Sequence, residues 1–152
     1  MISKFQGDFR FLSNFWPTEV LYQGITYPTV ENAYQAAKFP LGMSYTAIRF
    51  MKPGDAKRYG RTIPVRKDWK TVKVSIMEDL VSQKFRNSEL AKKIKDTFPQ
   101  DLIEGNFWHD LFWGKCFCPE HKGKGQNNLG KILMQVRERR INIMPLTGRE
   151  VG

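Results

Sequence analysis

The segment PTVENAYQAAKF, residues 28–39, sets Glu31, Gln35 and Lys38 at spacings of four and three. In a helix those intervals put the three polar side chains on one face. Glu31 and Lys38 then stand two turns apart, about 10 Å along the axis. They need not touch, yet both reach a ligand lying beside the helix. A carboxylate there can support developing positive charge or take a proton from water; an amine can bind phosphate or attack an electrophilic carbon. An exposed polar face would show the same spacing, so the interval alone leaves both readings open.

A second acidic centre lies in EGNFWHDLFWG, residues 104–114, where Glu104, Asn106 and Asp110 stand among Trp108 and Trp113. Partial desolvation tunes the proton affinity of such an Asp, and either indole could stack on a flat base. Aromatic packing, with Asp110 capping nearby amides, is an equal alternative. Phosphate chemistry has two candidates. In HKGKGQNNLG, residues 121–130, Gly123 and Gly125 permit tight turns, and Asn127 and Asn128 lead into a helix whose first amides could receive an anion. The loop is neither a Walker A nor a Rossmann fingerprint, and a flexible capped loop explains it too. The run from Lys52 to Lys73 holds eight Lys or Arg against Asp55 and Asp68, with Arg61 and Arg66 offering forked donors. Cys116-x-Cys118-x-x-His121 has zinc-ligand residue types, and His109 could supply a fourth. Burial or oxidation of the cysteines is the simpler account, so neither metal nor cofactor is assigned.

These groups need a frame. The pieces EVLY and ITY around Gln23-Gly24 suggest a hairpin closing a β-rich stretch over residues 5–27. Thr29 caps a helix from Val30, a second helix is expected at about 43–51, and residues 55–59 add a turn ended by Gly60. Asp68 precedes the strongest periodic stripe, formed by Trp69, Val72, Ile76, Met77, Leu80 and Phe85. Ser88 begins another helix, and Asn128 caps a last one through Leu129, Ile132, Leu133 and Val136. Asp101–Glu104 suggests a short extended piece, and residues 105–127 an irregular connection long enough to signal a site. The expected fold is mainly α (α+β): one compact helical domain over 1–152, with a small antiparallel β element near its start and a possible tail at 140–152.

Composition sets the outer bounds. The 152 residues suit one domain, and 41% apolar content argues against disorder. A net charge of +10 and a pI near 9.8 draw anions into clefts without ranking nucleic acid, phosphorylated metabolite or dinucleotide. Two cysteines make no disulfide scaffold and are compatible with a reducing compartment. No apolar run reaches spanning length, and MISKFQGDFRF lacks a secretory signal, so a soluble cytoplasmic protein without membrane contact is expected.

Taken in order, FRFLSNFWP, PTVENAYQAAKF, YGRTIPVRKDW, the KF-to-LIEGN segment, DLFWG and GKGQNNLGKILMQVRE resemble the YbiA-like, or NADAR, family over about residues 7–139. The resemblance implies a compact, mainly helical fold and hydrolysis of N-glycosidic bonds. It implies as substrate either phosphorylated ribosylamino-pyrimidine intermediates of riboflavin biosynthesis or ADP-ribose attached to guanine, including ADP-ribosylated DNA. By position, the family's functional residues fall on Asn14, Glu31, Gln35, Lys38, Arg61, Arg66, Trp69, Asp110, Trp113, Gly114 and Asn127. KCFCPEHK, residues 115–122, is longer than its riboflavin-type counterpart, and Asn32 and Ala33 replace that branch's His and Tyr, close to expected substrate contacts.

The leading expectation is therefore N-ribosidic hydrolysis. Glu31 faces the sugar with Asp110 as its partner, in interchangeable roles. Lys38 is a phosphate or hydroxyl contact or, alternatively, a nucleophile. Trp69 or Trp113 flanks the base, and Arg61, Arg66 and the Gly123–Asn128 loop hold phosphate. The alternatives are a non-catalytic ADP-ribose or dinucleotide-binding module and a basic nucleic-acid-binding protein, although no zinc-finger, RRM or helix-turn-helix pattern supports the latter.

Overall fold

Residues 1–40 and 46–143 are described by the computed structural model. Thr29 is extended at φ −148° and its hydroxyl accepts from the Asn32 amide at 3.0 Å, so the chain enters helix α1, Val30–Ala37, at the expected residue. Before it, strands β1 (Val20–Tyr22) and β2 (Ile25–Tyr27) pair antiparallel, Val20 opposite Tyr27. Gln23 and Gly24 both take positive φ, 50° and 78°, which matches the right-handed twist of a two-residue hairpin. Upstream, the expected β-rich stretch is corrected. Gly7–Leu12 is a 3-10 helix, because Phe11 and Leu12 are both buried and adjacent residues of a strand would point apart.

Helix α2, Pro53–Gly60, carries Pro at its first turn and is longer than the single turn expected. The helix expected at 43–51 is a short 3-10 helix, Thr46–Phe50; residues 43–45 lie outside the described residues. Helix α3, Trp69–Lys84, buries Trp69, Met77, Leu80 and Val81. Asp68 precedes it without capping through its side chain, because Arg66 holds that carboxylate at 2.6 and 2.9 Å. Asn87, rather than Ser88, caps helix α4, Ser88–Lys95, by accepting from the Leu90 amide.

The stretch after α4 is less irregular than its composition suggests. Ile2 pairs with Leu102, and the two-residue strands β3 (Gly105–Asn106) and β4 (Lys115–Cys116) pair in parallel. Helix α5, Asn128–Asn142, starts after Asn127, which sits in the left-handed region at φ 55°. It therefore extends into the expected tail, of which residues 144–152 lie outside the described residues. Helices α1, α3, α4 and α5 and the hairpin enclose one core containing Tyr27, Phe85, Leu80, Ile94, Leu102 and Leu133. The fold is mainly helical, with a small antiparallel element near its start. Among the described residues no helix is long and apolar enough to cross a membrane.

Candidate active site

All eight residues of α1 are buried, including Glu31 at 7% exposure and Gln35 at 2%. A solvated polar face is thus excluded. Two elements hold the helix in this position. The Asn14 carbonyl accepts from the Glu31 amide at 3.0 Å, and the Asn32 side chain donates to the carbonyls of Ile48 and Met51. Against its polar side stands Gly60, where a Cβ would lie 1.9 Å from Gln35 Oε1. Only a missing side chain lets α2 approach this closely.

The polar side of α1 faces a cavity of about 710 Å³. Glu31, Tyr34 and Gln35 line it from α1, Lys38 from the end of that helix, Lys57 and Arg61 from α2, and Glu104, Asp110 and Trp113 from the segment before α5. With Lys4 also in the lining, three carboxyl groups and four basic side chains thus share one space. Asp110 Oδ1 accepts from the amides of Phe112 and Trp113 at 3.0 and 2.9 Å, which fixes the side chain on the turn. Glu31 Oε2 accepts from Gln35 Nε2 at 2.5 Å. Burial pushes the Glu31 carboxyl up, while the Gln35 amide, Lys57 and Lys38 pull it back. Burial pushes the Lys38 amine down, against the pull of Glu31. Glu104 is perturbed in the same direction: burial, then the charge of Asp110, push it up to about 7, and its buried Oε2 has no hydrogen-bond partner among the described residues.

The aromatic wall is built by Tyr34 and its neighbours. Trp113 Nε1 donates to the Tyr34 hydroxyl at 3.0 Å with the rings edge to face, and Trp69 packs against Tyr34 at 5.1 Å. Burial holds the Tyr34 hydroxyl well above the usual phenol range. Across the mouth, Lys57 Nζ lies 5.3 Å from the centre of the exposed Trp108 ring.

The sequence-derived residues divide into two groups. Asn14, Glu31, Gln35, Lys38, Arg61, Asp110 and Trp113 line the cavity together. Arg66 does not, because its guanidinium is occupied by Asp68 and the Tyr22 hydroxyl. Trp69 lies behind Tyr34. The glycine loop is likewise structural. A Cβ at Gly114 would meet the Glu104 carbonyl at 2.0 Å, and one at Gly125 the Gly114 carbonyl at 2.2 Å. Gly123 has φ 85° and faces Phe117. Asn127 accepts from the Glu104 amide and donates to the Leu102 carbonyl, and Asn128 donates to the Phe112 carbonyl. The loop positions Glu104 and does not line the cavity. Asn32 and Ala33 also point away, into the core.

In the sequence Glu104 stands in the second acidic centre without a role of its own, and nothing marks Lys57 or Tyr34 as site residues. For Glu104 the signal was an acid directly following the apolar pair Leu102 and Ile103, both buried. Lys57 stands four residues before Arg61, which follows directly on the end of α2 and keeps the helical conformation. The residues able to hold a metal lie outside the lining: the ligand atoms of His109, Cys116, Cys118 and His121 all fall within 4.8 Å of one another.

Comparison with known proteins places this cavity in a lineage. The model of the NADAR domain matches residues 3–140. The chain belongs to the NADAR family. The "N-glycosidase Npun_R5314" of Nostoc punctiforme is 37% identical to it over 143 residues, covering 90% of this chain and 88% of that protein. The "N-glycosidase YbiA" of Escherichia coli is 39% identical over 139 residues, covering 87% and 80%. The solution structure of E. coli YbiA superposes with a TM-score of 0.73 at 33% identity, over 91% of this NADAR chain and 83% of that one. The helical frame that brings α1 and α2 together is therefore a property of the NADAR fold, and family membership supports a catalytic role for the chain.

Proposed function

We propose that the chain is an N-glycosidase that hydrolyses the N-ribosidic bond of a phosphorylated substrate. One observation supports this above the rest: Glu31, Asp110 and Glu104 line a single cavity together with Lys38, Lys57 and Arg61. Cleaving a base from ribose needs negative charge beside the anomeric carbon, a proton for the departing nitrogen and an acceptor for a proton of water. Three carboxyl groups with different surroundings can divide those tasks.

The hydrogen bonds favour one division. Glu31 receives the Gln35 amide and Asp110 receives two backbone amides, so each has donors aimed at its oxygens. Glu104 Oε2 has no hydrogen-bond partner among the described residues, and with its carboxyl pushed up to about 7 about half of the groups carry a proton at neutral pH. As the bond from C1′ to the base nitrogen breaks, its electron pair stays on nitrogen, which takes the Glu104 proton. Positive character at C1′ is supported by Glu31 with Asp110. Water adds to C1′ and gives its proton to Glu31, leaving ribose phosphate and free base or, from ADP-ribosylated guanine, ADP-ribose and the restored guanine. Lys57 and Arg61 hold phosphate, Lys38 contacts phosphate or a sugar hydroxyl, and Trp113 flanks the base.

The cavity volume lies within the range of sites for small molecules. The substrate is a phosphorylated N-riboside, of the ribosylamino-pyrimidine class or carrying ADP-ribose on guanine. The test is a mass-spectrometric panel of ribosylamino-pyrimidine phosphates, NAD, ADP-ribose and guanine-ADP-ribosylated DNA, scored for released base or, from the DNA, released ADP-ribose. At least one member is cleaved by the wild type, and Glu31→Gln, with the fold kept, nearly abolishes release. Inertness throughout, together with tight binding of unchanged ligand, would overturn the enzyme reading in favour of a binding module.

A further inference from the structure

Between β3 and α5, where the chain forms no helix and only the two-residue strand β4, four side chains converge. His109 Nδ1 and His121 Nδ1 are 3.2 Å apart, and Cys118 Sγ lies 3.6 Å from the first and 3.2 Å from the second. Cys116 joins them, with all four ligand atoms within 4.8 Å of one another. Zinc bonds of about 2.0–2.1 Å to nitrogen and 2.3 Å to sulfur imply edges of roughly 3.3–3.8 Å for a tetrahedron. The three spacings involving the imidazoles fall at or just below that range. No disulfide joins the two cysteines.

The surroundings fit metal ligation independently of the spacing. His121 turns Nδ1 to the cluster while Nε2 faces the Glu120 carboxylate at 3.3 Å, an outer partner that would fix the ring of a metal-bound histidine. The His121 amide points at Cys118 Sγ at 3.4 Å. Cys116 is clamped on both sides by Lys124 and Gly123, through its amide at 2.9 Å and its carbonyl at 2.7 Å. His109 takes φ 69°, an uncommon conformation for a side chain with a Cβ, in the position that aims its ring at the others. Both cysteines are buried, which leaves a pair of thiols facing a pair of imidazoles with no apolar reason for the arrangement.

We propose that His109, Cys116, Cys118 and His121 form a closed tetrahedral zinc site that fastens one wall of the cavity. Binding Zn²⁺ displaces one proton from each thiol, so two thiolates and two neutral imidazoles leave the centre without net charge. Four protein ligands leave no open position, which makes the site structural. Its place gives it a purpose: Trp108 and Asp110 flank His109, Phe117 lies between the cysteines, and all three line the cavity. An ion here ties together a segment that has no helix of its own.

The experiment needs no substrate, so its outcome is separable from that of the glycosidase assay. Untagged protein purified without chelator is analysed for metal by mass spectrometry; one zinc per chain is expected. Stripped wild type titrated with Co²⁺ should develop the intense visible bands of a tetrahedral thiolate site at one equivalent, and zinc should bleach them. Cys118→Ser should lose stoichiometric metal. Glu120→Gln, on the surface, should keep the fold and bind zinc about tenfold more weakly. Less than a tenth of an equivalent of metal, with reduced wild-type protein that stays folded, keeps both thiols reactive and takes up neither ion, would overturn the proposal.

Discussion

Replacing Glu104 by Gln separates its charge from its shape. In the folded chain the group is pushed from 4.5 up to about 7, chiefly by burial. A carboxyl with a raised folded value binds its proton more tightly in the native than in the unfolded state. Stability therefore falls as pH rises from the unfolded value towards the folded one. The full difference of about 2.5 pH units corresponds to roughly 3 kcal/mol, at 1.36 kcal/mol per unit. Glu104→Gln has no such penalty, so the gap between variant and wild type should widen by about 2.5 kcal/mol between pH 5 and pH 8. Urea midpoints measured at both pH values for both proteins read this directly.

The same variant tests the chemistry. If Glu104 gives the proton to the departing base, wild-type kcat falls on the alkaline side with a midpoint near pH 7. Glu104→Gln should lose that limb together with about two to four orders of magnitude in turnover. A variant more stable at pH 8 and catalytically poor is the expected signature. Stability curves that run parallel for the two proteins, or an alkaline limb that survives in the variant, would refute the reasoning.

Two further outcomes follow from named groups. Arg61→Ala should raise KM about 10- to 100-fold for the phosphorylated substrate at nearly unchanged kcat, since a hydrogen bond to a charged group is worth about 1.5–3 kcal/mol. Steady-state kinetics on the dephosphorylated analogue, which should respond little, provide the control. Lys84, buried in α3 and donating to the Ser13 carbonyl at 2.7 Å, is pushed down to about 7 by burial. Its folded value lies below its unfolded one, so the wild type gains stability as pH rises above 7, by at most about 1.4 kcal/mol per unit. Against a Lys84→Met variant, denaturation midpoints should shift in favour of the wild type between pH 7 and 9; a constant difference would contradict this.

What could be read in advance depended on range. Local signals served well: the Thr29 cap, the Gln23-Gly24 turn and the stripe from Trp69 to Leu80 are each decided within a few residues. The polar face of α1 was visible too, but its burial was not, because that requires Gly60, 25 residues after Gln35. Arg61 and Arg66 looked alike in sequence, and only Asp68 and Tyr22 separate them in space. The glycine loop misled for the same reason. Its residues answer to backbone atoms of Leu102, Glu104 and Phe112, which no local pattern reveals. The four potential metal ligands were all noted in the sequence, but convergence through the clamped turn at Cys116 is a fact of three dimensions.

Helix α1 has no side turned to water, and this limits how the protein can diversify. A residue such as Gln35 answers simultaneously to its neighbours in the interior and to whatever occupies the cavity, so a substitution there is filtered twice. Positions at the mouth, such as Lys57 and the exposed Trp108, meet only the second filter. New ligand preferences should therefore arise by drift along the rim, over a floor that scarcely changes, and a saturation library scored for folding alone should already show α1 as intolerant.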